Sequence, residues 1–262
     1  MTILERIISD KRIEIAHKKA LISRSRLENE PLFDHCPISI KKRFTDKPGI
    51  IAEHKRRSPS KAVINQNHSV VDIVKGYELA GAAAISVLTD GKYFGGSLDD
   101  LVLARASCSL PLLRKDFIID PYQIIEARAF GADAILLIAA ALSAKEIASL
   151  ASEAKALQLE VLLEVHSEDE LEQALSLHPP IDMLGVNNRN LKTFEVSLDI
   201  SKELASKIPD CFVKISESGI SQVDAIKSLQ AYGYQGFLIG EYFMKDENPK
   251  AIACDFVQEL AL

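Results

Sequence analysis

Gly131-Ala132-Asp133-Ala134-Ile135-Leu136-Leu137-Ile138-Ala139 holds the run that decides the fold, because from Ala134 onward apolar side chains follow one another without a break. A strand with one wet face alternates apolar and polar residues. A strand without alternation is buried on both faces, as parallel strands covered by helices are. Gly131, ahead of the run, reads as a helix stop leading into a short loop. Gly81-Ala82 repeats that arrangement before a second apolar run.

Outward from this stretch, strand-like and helix-like runs alternate from about residue 49, with a strand starting roughly every 25 residues. Strand candidates fall at 50–55, 83–88, 112–115, 134–139, 161–165, 183–187, 212–217 and 237–240. Amphipathic segments lie between them, among them 143–157 and 167–177. Both open on a serine with an acidic residue three positions later, the pattern of a capping box. This repetition predicts an α/β chain, a (β/α)8 TIM barrel over 49–262. The competing doubly wound sheet usually has fewer strands and often a Gly-rich first turn, which this chain lacks. Residues 1–48 are predicted to be an N-terminal helical extension, with Leu4, Ile7, Ile8 and Ile15 near one face. It either packs on the barrel's side or bottom, or borders its opening.

A length of 262 residues with 47% hydrophobic content suits one such core, so a single domain is expected. Cys36, Cys108, Cys211 and Cys254 lie far apart, which suggests neither a disulfide framework nor a thiolate metal site, but reduced thiols in a cytoplasmic protein. Glu5, Arg6, Asp10 and Lys11 interrupt any apolar export signal, and no stretch is long and apolar enough to span a membrane. A net charge of −6 argues against a nucleic-acid binder. The histidines form neither HxH nor HExxH, and no metal is expected; His54 and His166 alone stand near strand ends.

Active sites of such barrels gather at the C-terminal ends of the strands. Glu53, Lys115, Glu164 and Glu217 end the first, third, fifth and seventh runs, the shared parity that one layer across the mouth requires. Each alone is most simply a salt bridge. Four together point to acid–base chemistry. Lys55 shares the face of Glu53, and His54 points outward. The basic run 55–61 is an ordinary solvated loop that also offers Lys55 and Ser58 to a phosphate oxygen. Ser218 and Gly219 after strand seven, and Gly240 and Glu241 after strand eight, fall where this fold usually binds phosphate. Asn187, Asn188, Arg189 and Asn190 form a dense donor cluster or an ordinary turn, with Arg189 suited to fork a carboxylate. Tyr93, Phe94 and Phe117 would wall a flat aromatic substrate, or are plain core.

The strings Ile51-Ala52-Glu53-His54-Lys55-Arg56-Arg57-Ser58-Pro59-Ser60, Leu113-Arg114-Lys115-Asp116-Phe117, Leu163-Glu164-Val165-His166, Gly185-Val186-Asn187-Asn188-Arg189-Asn190-Leu191 and Ser216-Glu217-Ser218-Gly219-Ile220 resemble the indole-3-glycerol phosphate synthases of tryptophan biosynthesis. The resemblance implies a carboxy-lyase without cofactor, acting on 1-(2-carboxyphenylamino)-1-deoxyribulose 5-phosphate by ring closure, decarboxylation and dehydration. It implies Lys115 as the acid of ring closure, Glu164 as the base of dehydration, and Glu53 aided by Lys55 as its acid or as the partner of that acid. Asn187 and Glu217 would orient the substrate, and Arg189 would meet its carboxylate. Lys55, Ser58, Ser218, Gly219, Gly240 and the backbone N–H of Glu241 would hold the phosphate. A monofunctional enzyme is expected, since the chain leaves no room for the isomerase domain fused to this enzyme in some bacteria; a monomer is the expected state. Two competing readings are another phosphate-binding barrel, such as a phosphoribosyl isomerase, and a non-catalytic phosphate-ligand sensor. Lys55 should push the Lys115 pKa down and the glutamates should push it up, a balance the sequence leaves open.

Overall fold

A computed structural model describes residues 1–45, 47–191 and 193–261, with the side chain of residue 261 left aside. The strands β1 (Gly49–His54), β2 (Ala84–Leu88), β3 (Leu112–Lys115), β4 (Ala134–Ile138), β5 (Glu160–Val165), β6 (Met183–Asn187), β7 (Val213–Glu217) and β8 (Gly236–Ile239) pair in sequence order. Every pair is parallel, and β8 returns to β1 through Gly49↔Gly236 to Ala52↔Ile239, which closes the barrel and excludes an open sheet. Each strand boundary lies within one residue of its expected place.

The unbroken apolar run of β4 now has its explanation. Ala134, Leu136 and Ile138 belong to the cluster filling the barrel, while Ile135 and Leu137 belong to the larger cluster between barrel and helices. One strand serves two cores. The same parity turns Glu53, Lys115, Glu164, Asn187 and Glu217 inward at the upper ends of their strands, above Ile51, Leu113, Leu162, Met183 and Ile215.

The segment before β1 does two of the things expected of it, with different parts. Helix α1 (Ile3–Leu21) starts at a full capping box between Thr2 and Glu5, and packs Ile15 against Tyr122 and Ile125 of the helix Pro121–Ala129. Its first residues, Ile3, Leu4 and Ile7, face the opening at the C-terminal ends of the strands. Further on, Ile40 and Phe44 join the interior cluster at the opposite end. There the Glu160 carboxylate accepts the backbone N–H groups of Ile40 (2.7 Å) and Lys41 (2.9 Å), and so fastens the plug to the foot of β5.

The two expected capping boxes part company. Ser143 and Glu146 form one at the helix Ala144–Ala156. At the helix Glu168–Leu175, Ser167 accepts from the Glu170 N–H, but the Glu170 carboxylate turns to His166 instead of the serine backbone.

Candidate active site

A cavity of about 430 Å³ opens at the C-terminal ends of the strands and brings together most of the residues singled out above for chemistry or binding, with Tyr93, Asn188 and Asn190 outside its lining. Its lining includes Glu53, Lys55, Ser58, Phe94, Lys115, Phe117, Glu164, Asn187, Arg189, Glu217, Ser218, Gly219, Gly240 and Glu241.

At its centre the Lys115 ammonium donates to Glu217 Oε2 (2.8 Å) and Glu164 Oε2 (3.2 Å). Asn187 Nδ2 donates to the other Glu164 oxygen at 3.1 Å. Across the mouth, Lys55 Nζ lies 2.9 Å from Glu53 Oε1, and Ser86 donates to Glu53 Oε2 at 3.3 Å. Two glycines make room for the acids. A Cβ at Gly185 would stand 2.3 Å from Glu217 Oε1, and one at Gly240 would stand 2.6 Å from Glu53 Oε1. Gly240 therefore has a packing duty toward Glu53 that its place after β8 did not announce.

The electrostatics follow from this crowding. Burial opposes the charge on Lys115, but the carboxylates of Glu217, Glu164 and Glu53 outweigh it and hold the lysine above its ordinary pKa, which answers the balance left open by the sequence. Burial also raises Glu217; Lys115 counters it only in part, Glu164 and Glu53 add repulsion, and its pKa is pushed up to about 7. Glu164 and Glu53 face the same burial, yet both are lowered, by Lys115 and His166 in one case and by Lys55 and Lys115 in the other. The site thus holds ionised acids, one acid that titrates near neutrality, and a persistent ammonium.

At the other end, Ser218 and Gly219 both have positive φ, 70° and 80°, and line the cavity. Glycine suits this conformation without strain, whereas Ser218 is held there by its surroundings. Glu241 bonds to Lys61 and reaches the Arg189 guanidinium at 3.4 Å. Arg189 is therefore turned toward the Glu241 end of the cavity. A substrate anion that reaches it competes with that carboxylate.

Phe94 and Phe117 line the cavity with ring centroids 5.9 Å apart. Tyr93 does not join them; its hydroxyl donates to Asp10 of α1. The basic run is less solvated than expected. Arg56 holds Asp100 with both terminal nitrogens (2.5 and 2.8 Å), and Arg57 donates to the carbonyls of Gly91 and Lys92 (2.5 and 3.1 Å), so the loop after β1 is tied to the one after β2. His54 does point outward; it is buried, and burial with Arg56 nearby lowers its pKa to about 4.

The family profile described as indole-3-glycerol phosphate synthase matches residues 4–256. The chain belongs to the indole-3-glycerol phosphate synthase family. Curated relatives of that name include one from Bacteroides thetaiotaomicron, 46% identical over 98% of either chain, and one from Dechloromonas aromatica, 44% identical over 95% of this chain and 96% of the other. Similar solved structures include a tryptophan synthase α2β2 complex from Pyrococcus furiosus, with a TM-score of 0.61 and 15% identity over 82% of this chain and 98% of that one. KGPDC from Streptococcus mutans matches with a TM-score of 0.61 and 16% identity, over the same shares. At such identities they show the barrel alone.

Sequence reasoning missed part of the cavity wall of this synthase-family chain. Asp116 lines it beside Lys115, while the apolar border supplied by Ile3, Leu4 and Ile7 of α1 meets one of the two placements left open for that helix. Lys61 reaches the wall through Glu241. Asp116 and Lys61 stood in strings already under suspicion. The apolar stripe of α1 carried no mark of which end of the barrel it would cover.

Proposed function

We propose that this cavity performs the indole-3-glycerol phosphate synthase reaction, with the roles carried by the strand-end residues. The supporting observation is a half-buried ammonium held between two buried carboxylates, opposite a second lysine–glutamate pair, in a cavity with aromatic side chains on its wall. In ring closure, the aromatic carbon that bears the carboxylate attacks the ribulose carbonyl, and negative charge builds on its oxygen. Lys115, kept protonated by its glutamates, donates the proton. The new ring holds a cationic iminium next to the carboxylate, an electron sink that lets carbon dioxide leave. Dehydration then takes a proton from the ring methylene to Glu164, while Glu53 with Lys55 protonates the departing hydroxyl. Asn187 and Glu217 hold the substrate and the iminium.

Lys55, Ser58, Ser218, Gly219, Gly240 and the Glu241 N–H take the phosphate, and Phe94 and Phe117 flank the ring. Arg189 meets the substrate carboxylate after giving up Glu241. The free cysteines suit a cytoplasmic enzyme. No helix among the described residues is long and apolar enough to cross a membrane.

Purified protein mixed with the carboxyphenylamino substrate in buffer containing a chelator should develop indole absorbance and release carbon dioxide in equal amounts. Absence of both products, or turnover that the chelator abolishes, would reject the mechanism. An isomerase would release no carbon dioxide, and a sensor would bind without product.

A further inference from the structure

His166 follows β5 directly, two residues beyond Glu164, and nothing in the mechanism above uses it. Its backbone N–H and its Nδ1 both meet Glu170 Oε2, at 2.8 and 3.2 Å. An ionised carboxylate only accepts, so Nδ1 carries a hydrogen and the ring orientation is fixed. Glu170 forgoes the reciprocal bond of its capping box to make this contact. The other nitrogen, Nε2, is buried without a hydrogen-bond partner and lies 3.5 Å from Glu164 Oε1. His166 is not part of the cavity lining, so it meets Glu164 from outside the substrate space.

We propose that His166 is a positioning residue for Glu164: its imidazole, aimed by Glu170, keeps that carboxylate ionised and turned into the cavity for proton removal. The inference rests on the reading of Glu164 as the base. With Nδ1–H committed to Glu170, a neutral ring would present a lone pair to Glu164, which is repulsive. A second proton, on Nε2, makes the contact attractive, and the bound proton and the ionised carboxylate favour each other. Burial opposes that proton, but the bond to Glu170 and the charges of Glu164, Glu170 and Glu217 raise the His166 pKa above its ordinary value. The charged groups facing the pair are Lys115 from β3, Glu217 from β7 and Glu170 from the helix Glu168–Leu175. The turn Ala139–Ala141, packed against β5, brings no charge.

The test compares pH profiles of single-turnover dehydration for the unaltered enzyme, His166→Gln, His166→Lys and Glu164→Gln. Loss of the neighbouring cation should move the acidic limb of His166→Gln upward by about one to two pH units, the usual effect of an opposite charge at this range. His166→Lys should restore it toward its original place. An acidic limb that stays put in His166→Gln would overturn the proposal. Full activity in Glu164→Gln would instead remove the base assignment beneath it. A second readout needs no folded His166 variant: imidazole NMR of 15N-labelled enzyme should show His166 titrating above its ordinary range, and dropping when Glu164 is Gln. A titration identical in both enzymes would equally end the idea.

Discussion

Arg114, Lys115 and Asp116 are consecutive, yet they serve two ion clusters with opposite characters. Lys115 points into the cavity; Arg114, one step along the pleat, enters the space between barrel and helices. Arg114 donates to Thr89 Oγ1 (3.1 Å), the Gln123 carbonyl (2.7 Å), Asp116 (3.0 Å) and Glu126 (2.7 Å). Asp116 also takes Lys11 (3.1 Å) and Thr89 (2.6 Å), and Glu126 takes Lys18 (3.0 Å). Among the described residues, no side-chain atom of this outer cluster is buried without a partner, whereas Glu217 Oε1 in the inner one is. A saturated network of buried charges holds structure in place, because each group is needed to offset the desolvation of another. An unsaturated one keeps capacity for a ligand. Burial alone does not separate the two; completeness of partners does.

The largest expected effect breaks the inner cluster. Lys115→Met should lower the rate of ring closure by about 10²–10⁴-fold, the usual worth of a general acid. The thermal midpoint should move little, since a cavity acid can take up a proton when its cation is gone. Stopped-flow indole absorbance and a melting curve measure both. An unchanged rate would take Lys115 out of the mechanism, and a collapse in stability would make it a structural ion like its neighbour.

Arg114→Met applies the converse test. It leaves Asp116 and Glu126 buried with fewer partners, and should cost about 3–5 kcal/mol of stability in urea denaturation. Turnover per folded molecule should stay within severalfold of the unaltered enzyme. Undiminished stability would mean that the outer network is dispensable and that the contrast between the clusters fails.

The pleat explains how far the sequence could be read. Barrel strands announce themselves because two cores demand apolar residues on both faces, as in β4, and any charge that interrupts such a run stands out. Lys115, Glu164 and Glu217 were legible for that reason. Arg114 interrupts the same run and was passed over, since adjacent charges carry no mark of which face each takes until one strand-end layer is assembled. The positions set by remote chain segments were hidden for a different reason. Phe94 and Tyr93 are neighbours, but Asp10 of α1 draws the tyrosine away, and nothing local signals a partner more than 80 residues distant. Glu241 looked like a backbone donor, and its carboxylate engages Lys61 and Arg189 only because the loops after β1, β6 and β8 converge. Gly185 gave no hint at all, being an ordinary strand residue until Glu217 is seen to fill the space its missing Cβ leaves.

The smallest effect sharpens the comparison through pH. Glu217 has its folded pKa raised, from an ordinary 4.5 to about 7, so the folded protein holds that proton more tightly than the unfolded chain does. Stability from this group is therefore fully present at low pH and is lost as pH climbs between those two values, because only the unfolded chain ionises freely there. Gln at position 217 never ionises and escapes the loss. The stability of Glu217→Gln relative to the unaltered enzyme should thus rise across the window and level off above it. Lys115 and Glu164 share the charge, which limits the gain to about 1–2 kcal/mol. For Asp116 in the outer cluster the sign is reversed. Burial is outweighed by Lys11 and Arg114, its pKa is depressed, and its contribution is present above the ordinary carboxylate range and lost only in strong acid. Urea titrations at a series of pH values would show the two residues departing in opposite directions. A difference for Glu217→Gln that stays flat through neutrality would mean that Lys115 neutralises Glu217 fully, and the inner cluster would then be as saturated as the outer.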